Sequence, residues 1–120
     1  VHYFRGGTRG KPPLLMTHGF LAHARCFAFI APFLANEYDV IAYDLAGMGD
    51  SEMTPDCDGE KRAADMVAVA DALDLFAGPV RPTIIAHSFG SGVARSAFCQ
   101  WRRAARIGPV GSPEQALSRL

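Results

Sequence analysis

The most constraining feature of this sequence is residues 82–92, where a short apolar run leads into a serine flanked by small residues. Ala86 and Gly90 lie two positions before and two positions after Ser88, with alanine where such turns commonly have glycine. Small residues are needed there when a strand turns sharply into a helix and leaves the serine at the tip of the turn. The N-terminus of the following helix then directs free N–H groups toward the serine oxygen. We therefore predict a nucleophile elbow at Ser88, the alternative being an ordinary strand–loop–helix with a surface serine.

Three apolar strands alternate with three helical segments, which predicts an α/β fold with a mostly parallel sheet flanked by helices. The predicted strands cover residues 14–17, 39–44 and 81–86, and the predicted helices cover residues 25–36, 60–77 and 89–106. Residues 1–5 are compatible with the end of a further strand. We expect residues 1–106 to form one α/β unit, followed by an atypical tail at 107–120 that can form a short helix.

The spacing of apolar residues predicts the buried face of each helix. In the first helix this face consists of Phe27, Ile30, Phe33 and Leu34. Pro32 must either start the regular part of that helix or kink it. The second helix is predicted to be capped by Asp58 and stopped at Gly78, with Asp65 and Asp71 directed outward. The buried residues predicted for the third helix are Val93, Ala94, Ala97, Phe98 and Trp101.

Charge and cysteine content exclude several classes of function. The chain has 12 Lys and Arg residues and 12 Asp and Glu residues, so its charge balance gives no reason to expect nucleic-acid binding. The longest apolar runs are too short to span a membrane. The three cysteines are scattered, which favours free thiols in a reducing compartment over a disulfide framework. No signal peptide is visible, so we expect a cytoplasmic protein. Because the sequence opens on Val1 and not on Met, the alternative is that its true N-terminus precedes this sequence.

A second motif, His18-Gly19-Phe20, follows the first strong strand. Loops at the carboxyl edge of a parallel sheet line the ligand site. Gly19 allows the backbone to turn so that the N–H of Phe20 faces inward, and the N–H of Phe89 is the natural second donor. Two such donors would form an oxyanion hole for a tetrahedral intermediate. The alternative is a simple turn with a hydrogen-bonded histidine.

A third motif, residues 44–51, closes the second strand and begins with Asp44. Gly47 and Gly49 allow a tight, irregular loop beside the site. Their spacing is also compatible with a dinucleotide-binding fingerprint, but the third glycine before a helix is missing. A nucleotide-binding α/β module is therefore a weaker alternative, and we expect no stabilisation by a dinucleotide.

In this order and between these strands, the three motifs resemble the N-terminal half of an α/β-hydrolase of the serine-nucleophile branch, over about residues 1–106. The resemblance implies that the strands lie in the order second, first, third across the sheet. It implies Ser88 as the nucleophile and the amides of Phe20 and Phe89 as the oxyanion hole, with no cofactor and no metal. His18, Gly19, Asp44, Gly47, Gly49, Ala86 and Gly90 support the motifs.

The same resemblance narrows the reaction class. Family members with an aspartate at the elbow, such as haloalkane dehalogenases and most epoxide hydrolases, are disfavoured because Ser88 stands there. The serine branch includes esterases, lipases, lactonases, C–C bond hydrolases, cofactor-free haloperoxidases and aminopeptidases. The implied activity is hydrolysis of a small-molecule ester or related bond through an acyl-enzyme.

The sequence departs from the family pattern after the serine. In the family an acid and then a histidine follow the nucleophile, whereas here Ser88 is followed by one carboxylate, Glu114, and no histidine. His87 should point away from the serine, and His23 is a candidate substitute base. Because a hydroxyl without a base stays protonated, we expect a truncated chain that lacks the catalytic acid and histidine. The alternative is a non-catalytic fragment or binding half.

The strand at 81–86 has no apolar strand after it in the sequence. An uncovered sheet edge of this kind favours pairing with another chain. We therefore expect self-association through this edge. The other expected partner is a small-molecule substrate, and neither nucleic acid nor membrane is expected.

Overall fold

A sheet of four strands forms the centre of the computed structural model, which describes residues 1–55 and 57–104. The strands are β1 (Tyr3–Gly7), β2 (Pro13–Thr17), β3 (Asp39–Tyr43) and β4 (Thr83–Ala86). A 3₁₀ turn (Ala24–Phe27) and the helices α1 (Ala31–Leu34), α2 (Gly59–Ala72) and α3 (Phe89–Arg103) complete the described elements. The predicted tail at 107–120 and the predicted end of the third helix lie outside the described residues.

The strand order in the sheet is β1–β3–β2–β4. Strand β2 pairs in parallel with β3 and with β4, so the first strong strand lies between the second and the third. This confirms the predicted α/β architecture and strand order. Strand β1 pairs antiparallel with β3, with Tyr3 opposite Tyr43. The carboxyl ends of β2, β3 and β4 therefore meet at one edge of the sheet.

Both faces of the two central strands are buried. Leu15 and Ile41 pack toward α2 and α3 in the larger apolar cluster. Their neighbours Leu14 and Val40 pack on the opposite face, in a smaller cluster that includes Phe27 of the 3₁₀ turn. Because successive side chains of a strand point to opposite faces, a strand covered on both sides has a continuous apolar sequence. This explains the unbroken apolar runs in β2 and β3.

The continuous helix predicted over 25–36 is wrong. The chain instead forms the 3₁₀ turn at Ala24–Phe27 and then the single-turn helix α1. Pro32 lies in the first turn of α1. Proline has no N–H to donate to the carbonyl four residues earlier, and its ring collides with that carbonyl. A regular helix therefore cannot continue through Ala28 into α1.

This interruption also changes which face of the segment is buried. Phe27 is buried and Leu34 is half-buried, as predicted. Ile30 and Phe33, predicted on the same face, are exposed. The 3₁₀ turn has three residues per turn rather than 3.6, so the apolar positions after it no longer share one side.

Helix α2 begins as predicted, because the Asp58 side chain accepts a hydrogen bond of 2.8 Å from the N–H of Lys61. It ends at Ala72, a few residues before the predicted stop. The outward orientation predicted for Asp65 is wrong, since this residue is buried. One of its carboxylate oxygens is paired with the Lys61 ammonium one turn earlier on the helix. Asp71 is exposed, as predicted.

Helix α3 buries the predicted residues, namely Val93, Ala94, Ala97, Phe98 and Trp101. Its first turn lies in backbone contact with the end of β2. A Cβ atom placed on Gly90 would lie 2.5 Å from the carbonyl oxygen of His18 and 2.9 Å from that of Thr17. A glycine is therefore required where α3 crosses β2.

The Asp58 cap predicts a stability difference between two substitutions. Asp58→Ala should lower the free energy of unfolding by about 1 kcal/mol, because the N–H of Lys61 loses its acceptor. Asp58→Asn should lower it by less, because the asparagine oxygen can still accept this bond. Urea unfolding followed by circular dichroism measures both values. Equal losses for the two variants would contradict the capping role.

The close approach of α3 to β2 predicts opposite effects at two glycines of the same helix. Gly90→Ala should destabilise the fold by about 1–3 kcal/mol, because the added methyl group meets backbone atoms that cannot move aside. Gly92→Ala is the matched control, since a Cβ there has no atom within 4 Å. Alanine favours a helix by about 0.5–1 kcal/mol over glycine, so Gly92→Ala should stabilise the protein. Urea unfolding of both variants tests the contrast, and equal effects would contradict the packing described here.

Candidate active site

Ser88 lies between the end of β4 and the first residue of α3. Its backbone has φ 53° and ψ −116°, a conformation that residues other than glycine rarely adopt, and the residue is exposed. Such a conformation costs about 1–3 kcal/mol and persists only where the surrounding structure enforces it. Ala86 and Gly90, the two small residues of the motif, are buried on either side of the turn. The serine therefore lies on a sharp, strained strand-to-helix turn.

The turn that follows β2 lies directly against this elbow. The N–H of His87 donates a hydrogen bond of 3.0 Å to the carbonyl of Thr17. A Cβ atom on Gly19 would lie 3.0 Å from Nδ1 of His87, so the two turns approach as closely as a glycine allows. The rings of Phe20 and Phe89 have centroids 5.5 Å apart. The two residues that carry the predicted oxyanion donors are therefore neighbours in space.

An arginine on α2 holds one of these rings in place. The guanidinium of Arg62 lies 5.4 Å from the centroid of the Phe89 ring, in cation–π contact. It donates hydrogen bonds to the carbonyls of Cys57, at 3.0 Å, and Ala46, at 3.4 Å. The sequence analysis missed Arg62, because nothing in its local pattern indicates which loop or ring it contacts.

Asp44 is the centre of a hydrogen-bond network at the carboxyl end of β3. Its carboxylate accepts bonds of 2.7 Å from the N–H of Ala24, 3.0 Å from that of Asp50, and 2.9 Å from Nδ1 of His2. Gly49, with φ 54°, lies so close that no side chain would fit between its Cα and this carboxylate. Burial raises the pKa of Asp44, but the hydrogen bonds from Ala24, Asp50 and His2 outweigh it and lower the pKa overall. Asp44 is therefore a structural anion that joins three segments.

The sequence analysis also missed His2. Its N–H donates a bond of 2.9 Å to the hydroxyl of Ser51, which in turn donates a bond of 2.6 Å to the carbonyl of Asp44. The role of His2 follows from the pairing of β1 with β3. Because Tyr3 lies opposite Tyr43, the preceding residue lies beside residue 44.

His2, Asp44 and Asp50 bring three possible metal-ligand atoms within 4.8 Å of one another. Both carboxylate oxygens of Asp44 already accept hydrogen bonds from N–H groups. Arg25 also approaches Asp50, with 3.7 Å between its guanidinium nitrogen and the carboxylate oxygen. These hydrogen bonds and ion pairs explain why His2, Asp44 and Asp50 lie close together.

The loop after β3 is closed by its glycines. The N–H of Gly47 donates a bond of 3.2 Å to the carbonyl of Glu52. Gly47 has φ 76°, and a Cβ on it would lie 2.5 Å from the terminal carbon of Met53. Gly47 and Gly49 thus shape a loop beside the elbow rather than a phosphate-binding turn at the start of a helix.

His18 links this loop to the turn after β2. It is fully buried. Its Nδ1 lies 2.7 Å from the carbonyl oxygen of Gly19, and its Nε2 accepts a bond of 3.0 Å from the N–H of Leu45. Burial is the largest influence on its pKa and lowers it from the ordinary value.

The predicted site residues thus fall into two groups. Ser88 lies at the elbow between Ala86 and Gly90. The turn of His18, Gly19 and Phe20 lies against it, and the Phe20 ring is beside the ring of Phe89. Asp44, Gly47 and Gly49 form the adjacent loop and support the turn from the side of β3. His23 and His87 are exposed. All of these residues lie at the carboxyl edge of the parallel strands, where α/β proteins bind ligands.

Comparisons with known proteins agree with this architecture. Among curated relatives, epoxide hydrolase 4 of Mus musculus is 31% identical over 93 residues, which is 78% of this chain and 26% of the relative. A fluoroacetate dehalogenase of a Burkholderia species is 50% identical over 40 residues, 33% of this chain and 13% of the relative. An α/β hydrolase fold protein of Burkholderia ambifaria, of known structure, superimposes with a TM-score of 0.70 at 30% identity, covering 82% of this chain and 35% of that one.

The chain spans about a quarter to a third of the length of the curated relatives that it matches over most of its own length. No helix in the described parts of the chain combines the length and apolar character needed to cross a membrane. The model of the alpha/beta hydrolase fold family matches residues 12–102. This match covers the three parallel strands β2, β3 and β4, the elbow and both supporting loops, and the chain belongs to the α/β-hydrolase fold family.

Proposed function

We propose that this chain carries the nucleophile and the oxyanion hole of a serine hydrolase that acts on a small-molecule ester. The observation that carries the proposal is the strained backbone of Ser88, with φ 53°, at the N-terminus of a 15-residue helix. A helix N-terminus presents unpaired N–H groups and a partial positive charge. Strain at an exposed serine in that position is typical of a site that presents a nucleophile.

The geometry supports the following chemistry. The Oγ of Ser88 attacks the ester carbonyl carbon as its proton passes to a base, and the carbonyl oxygen becomes an oxyanion; the base later gives the proton to the departing alkoxide. The N–H groups of Phe20 and Phe89, whose side chains lie side by side, donate to that oxyanion. The intermediate collapses with loss of the alcohol, and water then hydrolyses the acyl-Ser88 ester. Loss of one oxyanion donor typically costs about 10²–10³-fold in rate.

A serine nucleophile favours carbonyl substrates over the substrates named in some relatives. Attack by a serine oxygen on an epoxide or an alkyl halide would leave an ether on the protein, which water does not hydrolyse. Attack on an ester leaves an acyl-enzyme that water can hydrolyse. The similarity to an epoxide hydrolase and a dehalogenase therefore supports hydrolase chemistry in general, whereas Ser88 favours acyl transfer.

The aromatic pair beside the serine supports an apolar substrate group. Phe20 is 61% exposed and Phe89 is 37% exposed, and their rings lie beside each other, so both offer apolar surface to a ligand bound next to Ser88. Arg62 holds the Phe89 ring in place. A small ester with an apolar acyl or alcohol part would cover these rings and exclude water from the oxyanion.

The base that activates Ser88 is assigned to a group outside the described site. After Ser88 the sequence contains Glu114 as its one carboxylate and has no histidine. Nitrogen atoms of His2 and His18 are already engaged in hydrogen bonds. Without a base, a serine hydrolase site retains about 10³–10⁴-fold catalysis over water, so we propose weak ester hydrolysis by these 120 residues.

We further propose that the chain belongs to a reducing compartment such as the cytoplasm, because Cys26, Cys57 and Cys99 are free thiols.

The test is hydrolysis of p-nitrophenyl acetate, measured with and without added imidazole as an external base. The wild-type chain should show a protein-dependent rate that imidazole raises, and Ser88→Ala should remove both the rate and its increase. Ser91→Ala is the matched control one turn into the helix, since the Ser91 hydroxyl bonds to the Ala86 carbonyl at 3.3 Å. It should retain the wild-type rate within about twofold, because the half-buried Ser91 hydroxyl is bonded to a carbonyl and is not the proposed nucleophile. Equal rates for wild type and Ser88→Ala would overturn the proposal and favour a non-catalytic binding role.

A further inference from the structure

His18 has two hydrogen bonds that together determine where its proton lies. The Gly19 carbonyl can only accept and the Leu45 N–H can only donate. Nδ1, 2.7 Å from the carbonyl oxygen, must therefore carry the proton, and Nε2, 3.0 Å from the amide nitrogen, must present its lone pair. His18 is thus held as a neutral imidazole of a single tautomer.

Three segments of the site meet at this residue. Its ring joins the turn that carries Phe20 to the loop after β3, through Leu45. Its own carbonyl oxygen lies against Gly90 in the first turn of α3, where a Cβ would approach to 2.5 Å. The following Gly19 lies against the ring of His87. A displacement of the His18 ring therefore changes the position of the turn relative to the elbow.

We propose that His18 is a positioning residue, which anchors the turn that carries Phe20 to the loop after β3 while its imidazole is neutral and frees the turn from that loop when Nε2 is protonated. The proton comes from solvent, and no other bond forms or breaks. Protonation places an N–H on Nε2 opposite the N–H of Leu45, so that two donors face each other and the bond is lost. The catalytic consequence rests on the proposed serine hydrolase function, but the release of the turn does not.

The groups around His18 decide the direction of the pH dependence. Burial opposes the charged form and lowers the pKa of His18 below its ordinary value of 6.5, and a positive charge on His23 would add to this effect. Asp44 and the bond to the Gly19 carbonyl act in the opposite direction but do not outweigh burial. The His87 ring faces the turn from the elbow. The turn is therefore fixed at neutral pH and loosens on acidification below 6.5.

The sign of the linked stability follows from the same shift. The unfolded chain binds a proton on this histidine at a higher pH than the folded chain does. Between the two pKa values the unfolded state therefore holds more protons, and acidification favours it. The stabilising bonds of neutral His18 are present above the unfolded pKa and are lost as pH falls through the folded one.

The experiment is amide hydrogen exchange followed by NMR on the whole chain, from pH 7 downward through the titration of the His18 ring as measured from its own signals, with protection expressed relative to an unstructured amide. For the wild type, the protection of the Leu45 amide should fall by about tenfold as the His18 imidazole titrates, since its buried hydrogen bond to Nε2 is lost. His18→Gln offers an oxygen at the position of Nε2 and does not titrate, so its protection should stay constant within about twofold. His23→Gln is the matched control and should keep the wild-type pH dependence.

Two results would overturn the proposal. One is a Leu45 amide whose protection in the wild type does not follow the His18 titration measured from its own ring signals. The other is a pH dependence that disappears in His23→Gln but persists in His18→Gln. Neither readout requires catalysis. The proposed ester hydrolysis and the proposed role of His18 can therefore fail independently of each other.

Discussion

The hydrogen bond from the N–H of His87 to the carbonyl of Thr17 is the interaction on which the site depends. It extends the pairing of β2 and β4 one residue past the end of the strands, to the point where both chains turn. Because this bond fixes the residue before Ser88, the following backbone must turn within a single residue to start α3. The positive φ of Ser88 is the result, and Gly90 is the position where that turn brings helix and strand backbones together.

A second constraint acts from the side of β3. Asp44 draws the start of the 3₁₀ turn, the loop after β3 and the residue before β1 onto one carboxylate, through Ala24, Asp50 and His2. The cost of burying this charge is offset by three donors, two of them backbone N–H groups whose positions are set by the chain path. The loops around Ser88 are thus held by fixed backbone groups rather than by long side chains. Such support suits a site that must not rearrange when charge develops on the substrate.

Local sequence predicted the elements that depend on local chemistry. The apolar runs of β2 and β3, the Asp58 cap and the small residues around Ser88 each have a cause within a few residues of chain, and these were found. The exposure of Ile30 and Phe33 and the burial of Asp65 were missed, because each depends on a partner or on helix phase. Pro32 interrupts the helix, so the regular spacing used to assign its buried face does not apply. Lys61 pairs with the carboxylate of Asp65, which a helical wheel places on the solvent side. His2 was missed for a similar reason, since its role follows from the register of β1 against β3.

Backbone and side chains perform different tasks in this site. The predicted oxyanion donors are amides, and the turns that carry them are held by backbone hydrogen bonds and by the buried His18 ring, which do not change with substrate. The rings of Phe20 and Phe89 lie beside each other and are partly exposed, and the Phe89 ring is in cation–π contact with Arg62. Under the proposed function, replacing either ring would change which substrate group is covered and would leave the amide on the same residue in place. A family that keeps one backbone arrangement can in this way act on many substrates, because the atoms that stabilise charge and the atoms that contact the variable part of the substrate are separate.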